Sequence, residues 1–393
     1  MEYEGPRGAR VGELDEVLDL VNLVFRTSRG LPPTMGEEFP LLFNEGNVEN
    51  LRIIKHGDKV VSHVGIFECE ASIYGCRLKI GMIGSVCTHP DYRMRGLATK
   101  LMEDALKKMT RDGVNIVMVS GIRSLYDRAG CAIAGLSYDV TLKRDELRGV
   151  HVDEGKVKFI MDKGMRVLDF VRVYQREGVR YIRPFAHFKA LLRGSAWRSR
   201  GRANVRLSFL IYDEGEVVGY VVVHKVQEGT EAQVVEYAGE RRSVLYALKS
   251  ITEAHGLSAI DLKIPAWDVE MLRAFRRCGL SIPAHTTRIA GTVRLLNIDE
   301  TMRKLKPYLS ERIEEDVWVE RDGEYVLRIG DESLKVGGEK ELAWLFFGVP
   351  DKVHEAFKKF MPRGPIVPPS EGISRACERI FPIPLLPYGL YYT

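Results

Sequence analysis

Cysteine is scarce and scattered in this sequence. Six thiols (Cys69, Cys76, Cys87, Cys131, Cys278 and Cys377) are spread over 393 residues without a CxxC pair, which excludes a disulfide-dense scaffold and offers no zinc-ligand spacing. The histidines show no metal-ligand pattern either, so no metal is expected. Long apolar runs are missing: no stretch reaches the roughly 18–20 residues of a membrane span. The opening MEYEGPRGARVGELDEV has no apolar signal core. These absences predict a cytoplasmic protein with reduced thiols and no membrane partner. Nor does one charge dominate. The 58 basic and 54 acidic side chains leave +4, too little over this length to imply a nucleic-acid partner, and the basic run from Arg193 to Arg202 reads as a solvated loop. What is present is ordinary for a folded protein, 45% apolar and 28% charged residues. The length exceeds what one core supports, so two or three domains are expected.

Residues 13–25, ELDEVLDLVNLVF, put Leu14, Val17, Leu18, Val21 and Phe25 on one stripe at helical spacing. LRIIKHGDKVVSHVGIF reads as two strands around a His56-Gly57-Asp58 turn, and RLKIGMIGSVCTHP as a long strand ended by Pro90. A helix is expected from about Arg95 to Arg111, and then a buried strand, NIVMVSG. The first 145 or so residues thus predict an α+β domain in the order β, β, β, α, β.

A faint internal repeat follows. The hairpin IIKHGDKVV from Ile53 recurs as LIYDEGEVV from Leu210, with Val60 and Val217 offset by 157. DGVNI from Asp112 is echoed by HGLSA from His255, and YDRAG from Tyr126 by FRRCG from Phe275. Three matches in the same order predict a duplicated domain. After about Arg288 come VRLLNIDETMRKL and three short alternating strands, DVWVERD, EYVLRIGD and SLKVG, which begin a third, smaller domain. In its helix ELAWLFFG the ladder Leu345-Phe346-Phe347 is expected to be core. The prolines of PRGPIVPPSEG exclude regular helix or sheet there. The end, PIPLLPYGLYYT, is apolar and aromatic where termini are usually polar, so it should be docked. The expected boundaries are 1–147, 148–288 and 289–393.

The stretch VCTHPDYRMRGLATKL from Val86 to Leu101 joins a strand to a helix through Arg-x-x-Gly-x-Ala. The first N–H groups of a helix have no internal partners and lie at its positive dipole end, so this junction suits an anion. Gly96 lets phosphates approach the backbone, Ala98 keeps the next turn small, and Arg93 and Arg95 add positive charge. A pyrophosphate fits there.

Here the sequence resembles the GCN5-related N-acetyltransferase (GNAT) superfamily, whose pyrophosphate motif Q/R-x-x-G-x-G/A is met by Arg93, Gly96 and Ala98. Over the whole chain, domain order and length resemble the enhanced-intracellular-survival (Eis)-like acetyltransferase family. That resemblance implies tandem GNAT folds, with mixed, mostly antiparallel sheets flanked by helices, and then a sterol-carrier-protein-like α+β domain. It implies direct transfer of an acetyl group from acetyl-CoA to an amine of a small molecule or a lysine side chain, in a homo-oligomer, trimer or hexamer.

Roles follow from the same resemblance. Ser85, Val86 and Cys87 would hold the acetyl and pantetheine arm through backbone groups. Arg93, Met94, Arg95, Gly96, Leu97 and Ala98 would cradle the pyrophosphate, with Ser120, Gly121 and Ile122 making flanking contacts. Tyr126 would be the general acid, because a hydroxyl of pKa near 10 can protonate a thiolate yet stay neutral at pH 7. The general base would be the carboxylate of the last residue, Thr393, its pKa raised from roughly 3.5 by burial under the apolar tail. Glu68 and Glu70 are alternative bases acting through water. In the second repeat Val244 replaces Gly96, Tyr246 replaces Ala98 and Phe275 replaces Tyr126, so that copy should bind no acetyl-CoA. Two rival readings remain at this stage: an acyl-CoA N-acyltransferase of the N-myristoyltransferase type, and a non-catalytic lipid or small-molecule binding protein with a CoA-sensing first domain. The acceptor is not legible, since Glu37, Glu38, Glu45 and Glu49 share the loop expected to overhang it with Arg26 and Arg29.

Overall fold

A computed structural model describes residues 2–150, 157–197, 203–362, 364, 368 and 370–392. The first stretch runs β1 (Tyr3–Gly8), α1 (Leu14–Phe25), α2 (Met35–Glu38), β2 (Leu51–His56), β3 (Lys59–Ile73), β4 (Cys76–Thr88), α3 (Leu97–Arg111), β5 (Ile116–Val119) and α4 (Ser124–Arg128). There follow β6 (Leu136–Lys143), α5 (Arg144–Leu147), β7 (Val157–Asp162), α6 (Val167–Tyr174), β8 (Val179–Ile182) and α7 (Phe185–Arg193). Next come β9 (Asn204–Asp213), β10 (Glu216–Val226), β11 (Glu231–Gly239), α8 (Arg241–Ala254), β12 (Ala259–Pro265), α9 (Val269–Arg277) and β13 (Thr287–Arg288). The last part holds β14 (Thr292–Leu295), α10 (Ile298–Ser310), β15 (Val317–Asp322), β16 (Glu324–Ile329), β17 (Glu332–Gly337), α11 (Glu339–Phe347) and α12 (Glu371–Ile380). Residues 198–202 of the predicted basic loop lie outside the described residues. Two compact units form. One takes the chain up to Gly135 together with Ala290–Leu386, the other Leu136–Ile289 together with Pro387–Tyr392.

In the first unit the strands follow the order β1-β2-β3-β4-β5-β14. All pair antiparallel except β4 and β5, which run parallel with α3 between them in sequence. α3 returns an apolar side chain every three or four residues, and Leu97, Leu101, Met102, Ala105 and Met109 are buried against Ile66, Ile83, Val117 and Val119. Each large side chain so removed from water contributes roughly 1.5–3 kcal/mol. α1 buries Val17, Leu20 and Val21. Of the predicted stripe, Leu14, Leu18 and Phe25 are only half-buried, at its margin. β15, β16 and β17 form a separate antiparallel meander where the alternating pattern placed it. On α11, Phe346 and Phe347 are buried as core.

The second unit orders its strands β13-β6-β12-β11-β10-β9-β7. Only β11 and β12 are parallel, joined through α8. The apolar chain end is docked here: Tyr391 is 1% exposed, and Leu390 N donates to Glu236 Oε2 at 3.0 Å. That carboxylate is held in turn by Arg183 through two hydrogen bonds of 2.8 and 2.9 Å and by Tyr220 Oη at 2.7 Å. Among the described residues no helix is long and apolar enough to cross a membrane.

Candidate functional site

The strand-to-helix junction of the first unit is built from β4, a short turn over Pro90–Tyr92, and the start of α3. α3 begins at Leu97, not at Arg95 as the sequence suggested, because Met94 (φ +60°) and Gly96 (φ +76°) put two left-handed residues just before it. Only glycine adopts that geometry at Gly96 without strain, and the space its missing side chain would fill is open. Buried Leu97 anchors the first turn from below, and no acidic residue stands in that turn. Arg95 is braced by hydrogen bonds to Asp91 O and Tyr3 Oη, and lies over the Tyr92 ring.

Above this helix start lies a cavity of about 710 Å³. It is lined by Val24, Phe25, Ser28, Arg29, Val86, Cys87, Thr88, Tyr92, Arg93, Met94, Arg95, Gly96, Leu97, Ala98, Thr99, Arg123, Leu125 and Arg128. Five arginines therefore face one cavity that has no carboxylate in its lining, and among the described residues none of the five is ion-paired. Unneutralised guanidiniums beside free helix N–H groups make a strong site for a polyanion. Of the predicted site residues, Val86, Cys87 and the whole Arg93–Ala98 run line it, whereas Ser85, Ser120, Gly121, Ile122 and Tyr126 stand outside the lining. Sequence reasoning missed Arg123 and Arg128, which bracket Tyr126. It placed Arg29 on the acceptor side, but Arg29 lines this cavity.

At the cavity's inner end β4 and β5 pair only from Ile80↔Ile116 to Ile83↔Val119, while β4 runs on to Thr88. β5 ends at Val119, so beyond Ile83 the edge of β4 away from β3 has no ladder partner among the described residues. Cys87 is buried, and burial pushes its thiol up to about 12 against the pull of Arg123 and Arg93. It is a neutral thiol at pH 7, not a nucleophile. Tyr126, on α4, is 4% exposed and belongs to the core around Val119 and Cys131. Its ring lies so close to Gly121 that a side chain there would meet Cε2 at 3.1 Å. Burial raises the phenol's pKa and the Arg123 charge partly offsets it, so the hydroxyl stays protonated at pH 7.

The other carboxylates fare differently. Glu68 faces Gly81 and Glu70 faces Lys79 on β4, far along the strand from Cys87. At about 3.4 Å per residue the separation is about 20 Å or more, beyond reach through one water. Glu68 is instead paired with Lys79 at 2.7 Å, and burial raises its pKa. In the acidic loop, Glu38 is bound by Arg26 through two buried hydrogen bonds of 3.0 and 2.6 Å, and Glu49 pairs with Arg52. Thr393, the predicted base, lies outside the described residues.

Residues 6–134 match the family model of an acetyltransferase (GNAT) domain. No curated protein matches the sequence. Among solved structures, a GCN5-related N-acetyltransferase from Kribbella flavida is similar over 100% of this chain and 98% of its own, at 17% identity and a TM-score of 0.65. Eis1 from Mycobacterium abscessus is similar over 99% of both chains at 14% identity and a TM-score of 0.63. A GCN5-related N-acetyltransferase from Anabaena variabilis covers 86% of this chain and 84% of its own at 17% identity, with a TM-score of 0.58. At such identities the likeness is one of fold. The match to an acetyltransferase (GNAT) domain falls on the very residues that build the arginine-lined cavity, and the protein is a transferase.

Proposed function

We propose that this protein is an acetyl-CoA-dependent N-acetyltransferase of the Eis-like kind, moving an acetyl group directly to an amine of a small molecule or a lysine side chain. The observation that carries this reading is the cavity itself: five arginines, none of them ion-paired among the described residues, around a helix start opened by Gly96, with no carboxylate in the lining. CoA brings a pyrophosphate and a further phosphate, and this lining suits them. The neutral amine attacks the thioester carbon, polarised by a backbone N–H where β4 outruns β5. Tyr126 protonates the departing thiolate, and a general base takes the amine's proton.

The domain reading that goes with this is a working GNAT domain over 1–147, a disabled copy over 148–288 and a sterol-carrier-protein-like domain over 289–393. The second unit supports the duplication. Its β9–β10 hairpin, β11, α8 and parallel β12 repeat the order of the β2–β3 hairpin, β4, α3 and parallel β5. By resemblance the assembly is a homo-oligomer.

Thiol release from acetyl-CoA, screened against polyamines, aminoglycosides and lysine-containing peptides, tests the activity. Turnover with at least one amine class is expected, and none with any would overturn the reading. The acid role is tested in the same assay. Tyr126→Phe keeps the ring that packs on Gly121, so acetyl-CoA affinity should hold while kcat falls by about 10²–10⁴. An unchanged kcat removes Tyr126 from the chemistry.

A further inference from the structure

Near the cavity β4 carries one residue more than β3. Pairing passes through Ile66↔Ile83 and Gly65↔Gly84, then jumps to His63↔Cys87 and Ser62↔Thr88. The extra residue bulges the strand at Ser85, whose φ of +53° is rare for a side-chain-bearing residue. A bulge puts a carbonyl out of the ladder, and a buried carbonyl needs another donor. His63 supplies it, with Nδ1 3.0 Å from Ser85 O. Because a carbonyl only accepts, Nδ1 carries the proton and Nε2 the lone pair. The ring is wholly buried, 6.0 Å from that of Phe43, and Nε2 has no hydrogen-bond partner among the described residues. An imidazole with an orphaned buried nitrogen is a poor space-filler, so what histidine adds at this position is the single Nδ1–H.

The direction of that bond matters for the site. His89 N donates to Val61 O at 2.9 Å, which sets the alternation of the ladder. The 61/89 and 63/87 pairs exchange hydrogen bonds, so the Cys87 N–H faces β3. The Val86 N–H faces the opposite edge, toward β5, antiparallel to the Ser85 carbonyl across one trans peptide plane. It emerges beyond the last β4–β5 pair, Ile83↔Val119, on a residue that lines the cavity.

We propose that His63 is a positioning residue for acyl transfer: by holding the Ser85 carbonyl at the bulge, it aims the Val86 N–H at the thioester carbonyl oxygen. This rests on the acyl-CoA-dependent reading of the cavity. In the step, the amine nitrogen bonds to the carbonyl carbon and the C=O electron pair moves onto oxygen. Collapse re-forms C=O and breaks the C–S bond, the thiolate leaving with its electron pair to take a proton from Tyr126, while the nitrogen loses its proton to the base. The Val86 N–H binds the oxygen most strongly when the negative charge is there. His63 touches neither substrate and exchanges no proton.

Three substitutions separate aiming from packing. His63→Asn keeps a donor near Nδ1, His63→Gln moves it toward Nε2, and His63→Leu has none. His63→Leu and His63→Gln should lower kcat by about 10–100-fold, below the loss on removing a whole oxyanion donor. The KM for acetyl-CoA should stay within about threefold, and His63→Asn should restore most of kcat. Infrared difference spectra of bound acetyl-CoA labelled with ¹³C at the acetyl carbonyl give a second readout that needs no acceptor. The carbonyl stretch should be lowered in the wild type and His63→Asn and return toward the free value in His63→Leu. This readout stands even if no amine is acetylated, so failure of the transferase reading and failure of this one are distinguishable. A folded His63→Leu with wild-type kcat and carbonyl frequency overturns the proposal. Should the variants not fold, ¹⁵N NMR of the wild type decides: a protonated Nδ1 supports it and a protonated Nε2 overturns it.

Discussion

His63 shows how much one buried side chain can couple to conditions. Burial lowers its pKa to about 4, the hydrogen bond to Ser85 opposes that only in part, and no charged side chain contributes. In the unfolded chain the ring titrates near 6.5. Below that pH the unfolded state takes up a proton the native state refuses, so stability falls as pH drops from about 6.5 toward 4 and is unaffected above. The full loss is on the order of 3 kcal/mol. Urea unfolding at pH 7 and pH 4.5 should show a larger drop in midpoint for the wild type than for His63→Asn, and equal drops would mean that His63 does not set this dependence. His224, with Arg206 beside it, is pushed down to about 2 by burial and acts in the same direction, which is why the comparison needs the variant. None of this was legible in the sequence, where His63 is one histidine in a strand. Arg93, Gly96 and Ala98 were legible because three residues within one turn carry the whole signal. Arg29, from the turn after α1, and Arg123 and Arg128, from the two ends of α4, reach the same cavity, and no local pattern joins them to the motif.

Among the elements, the strand-to-helix junction was read from sequence in kind but not in register. The helical pattern extends back to Arg95, yet the left-handed pair Met94 and Gly96 delays α3 to Leu97, so the arginines of the motif sit on a loop and can turn onto the cavity. Gly96→Val should therefore act in two ways. A β-branched residue at φ +76° costs about 1–2 kcal/mol, and its side chain enters the open space where phosphates would lie. Acetyl-CoA affinity is expected to fall at least tenfold, about 1.4 kcal/mol or more, with only a modest loss of thermal stability. Calorimetry showing wild-type affinity would place the pyrophosphate elsewhere. β1 escaped the sequence reading altogether. YEGPRG has no alternation and contains Pro6, tolerable because this strand ends the β1-β2-β3-β4-β5-β14 order and pairs with β2 there.

On the scale of the whole molecule, the hairpin and helix–strand order that the two units share was legible in the sequence, but the closing strands were not. β6 follows α4 in sequence yet pairs with β12, and β14 follows β13 yet pairs with β5. Such exchange depends on pairings about 120–180 residues apart, which periodicity does not report. The two units differ in what the starts of α3 and α8 can do, and this decides the stoichiometry. In the second unit, the first N–H groups of α8 are already taken: the Glu240 carboxylate accepts from Arg242 N at 3.1 Å and from Ser243 N. Arg241, which could meet a phosphate, is buried between Glu177 and Asp268. The residue that precedes α8 as Gly96 precedes α3 is Glu240, and not Val244 as the repeat alignment placed it; Val244 lies a turn further in and is wholly buried, and Phe275, also buried, has no hydroxyl to offer. An internal carboxylate holds the place an anion would need, and its charge repels one. Titration calorimetry should therefore find one acetyl-CoA per chain. Glu240→Ala should still give one, because the sequestered Arg241 remains, and Gly96→Val should weaken that one at least tenfold. Two molecules per chain, or one that keeps wild-type affinity in Gly96→Val, would show that the second unit binds the donor after all.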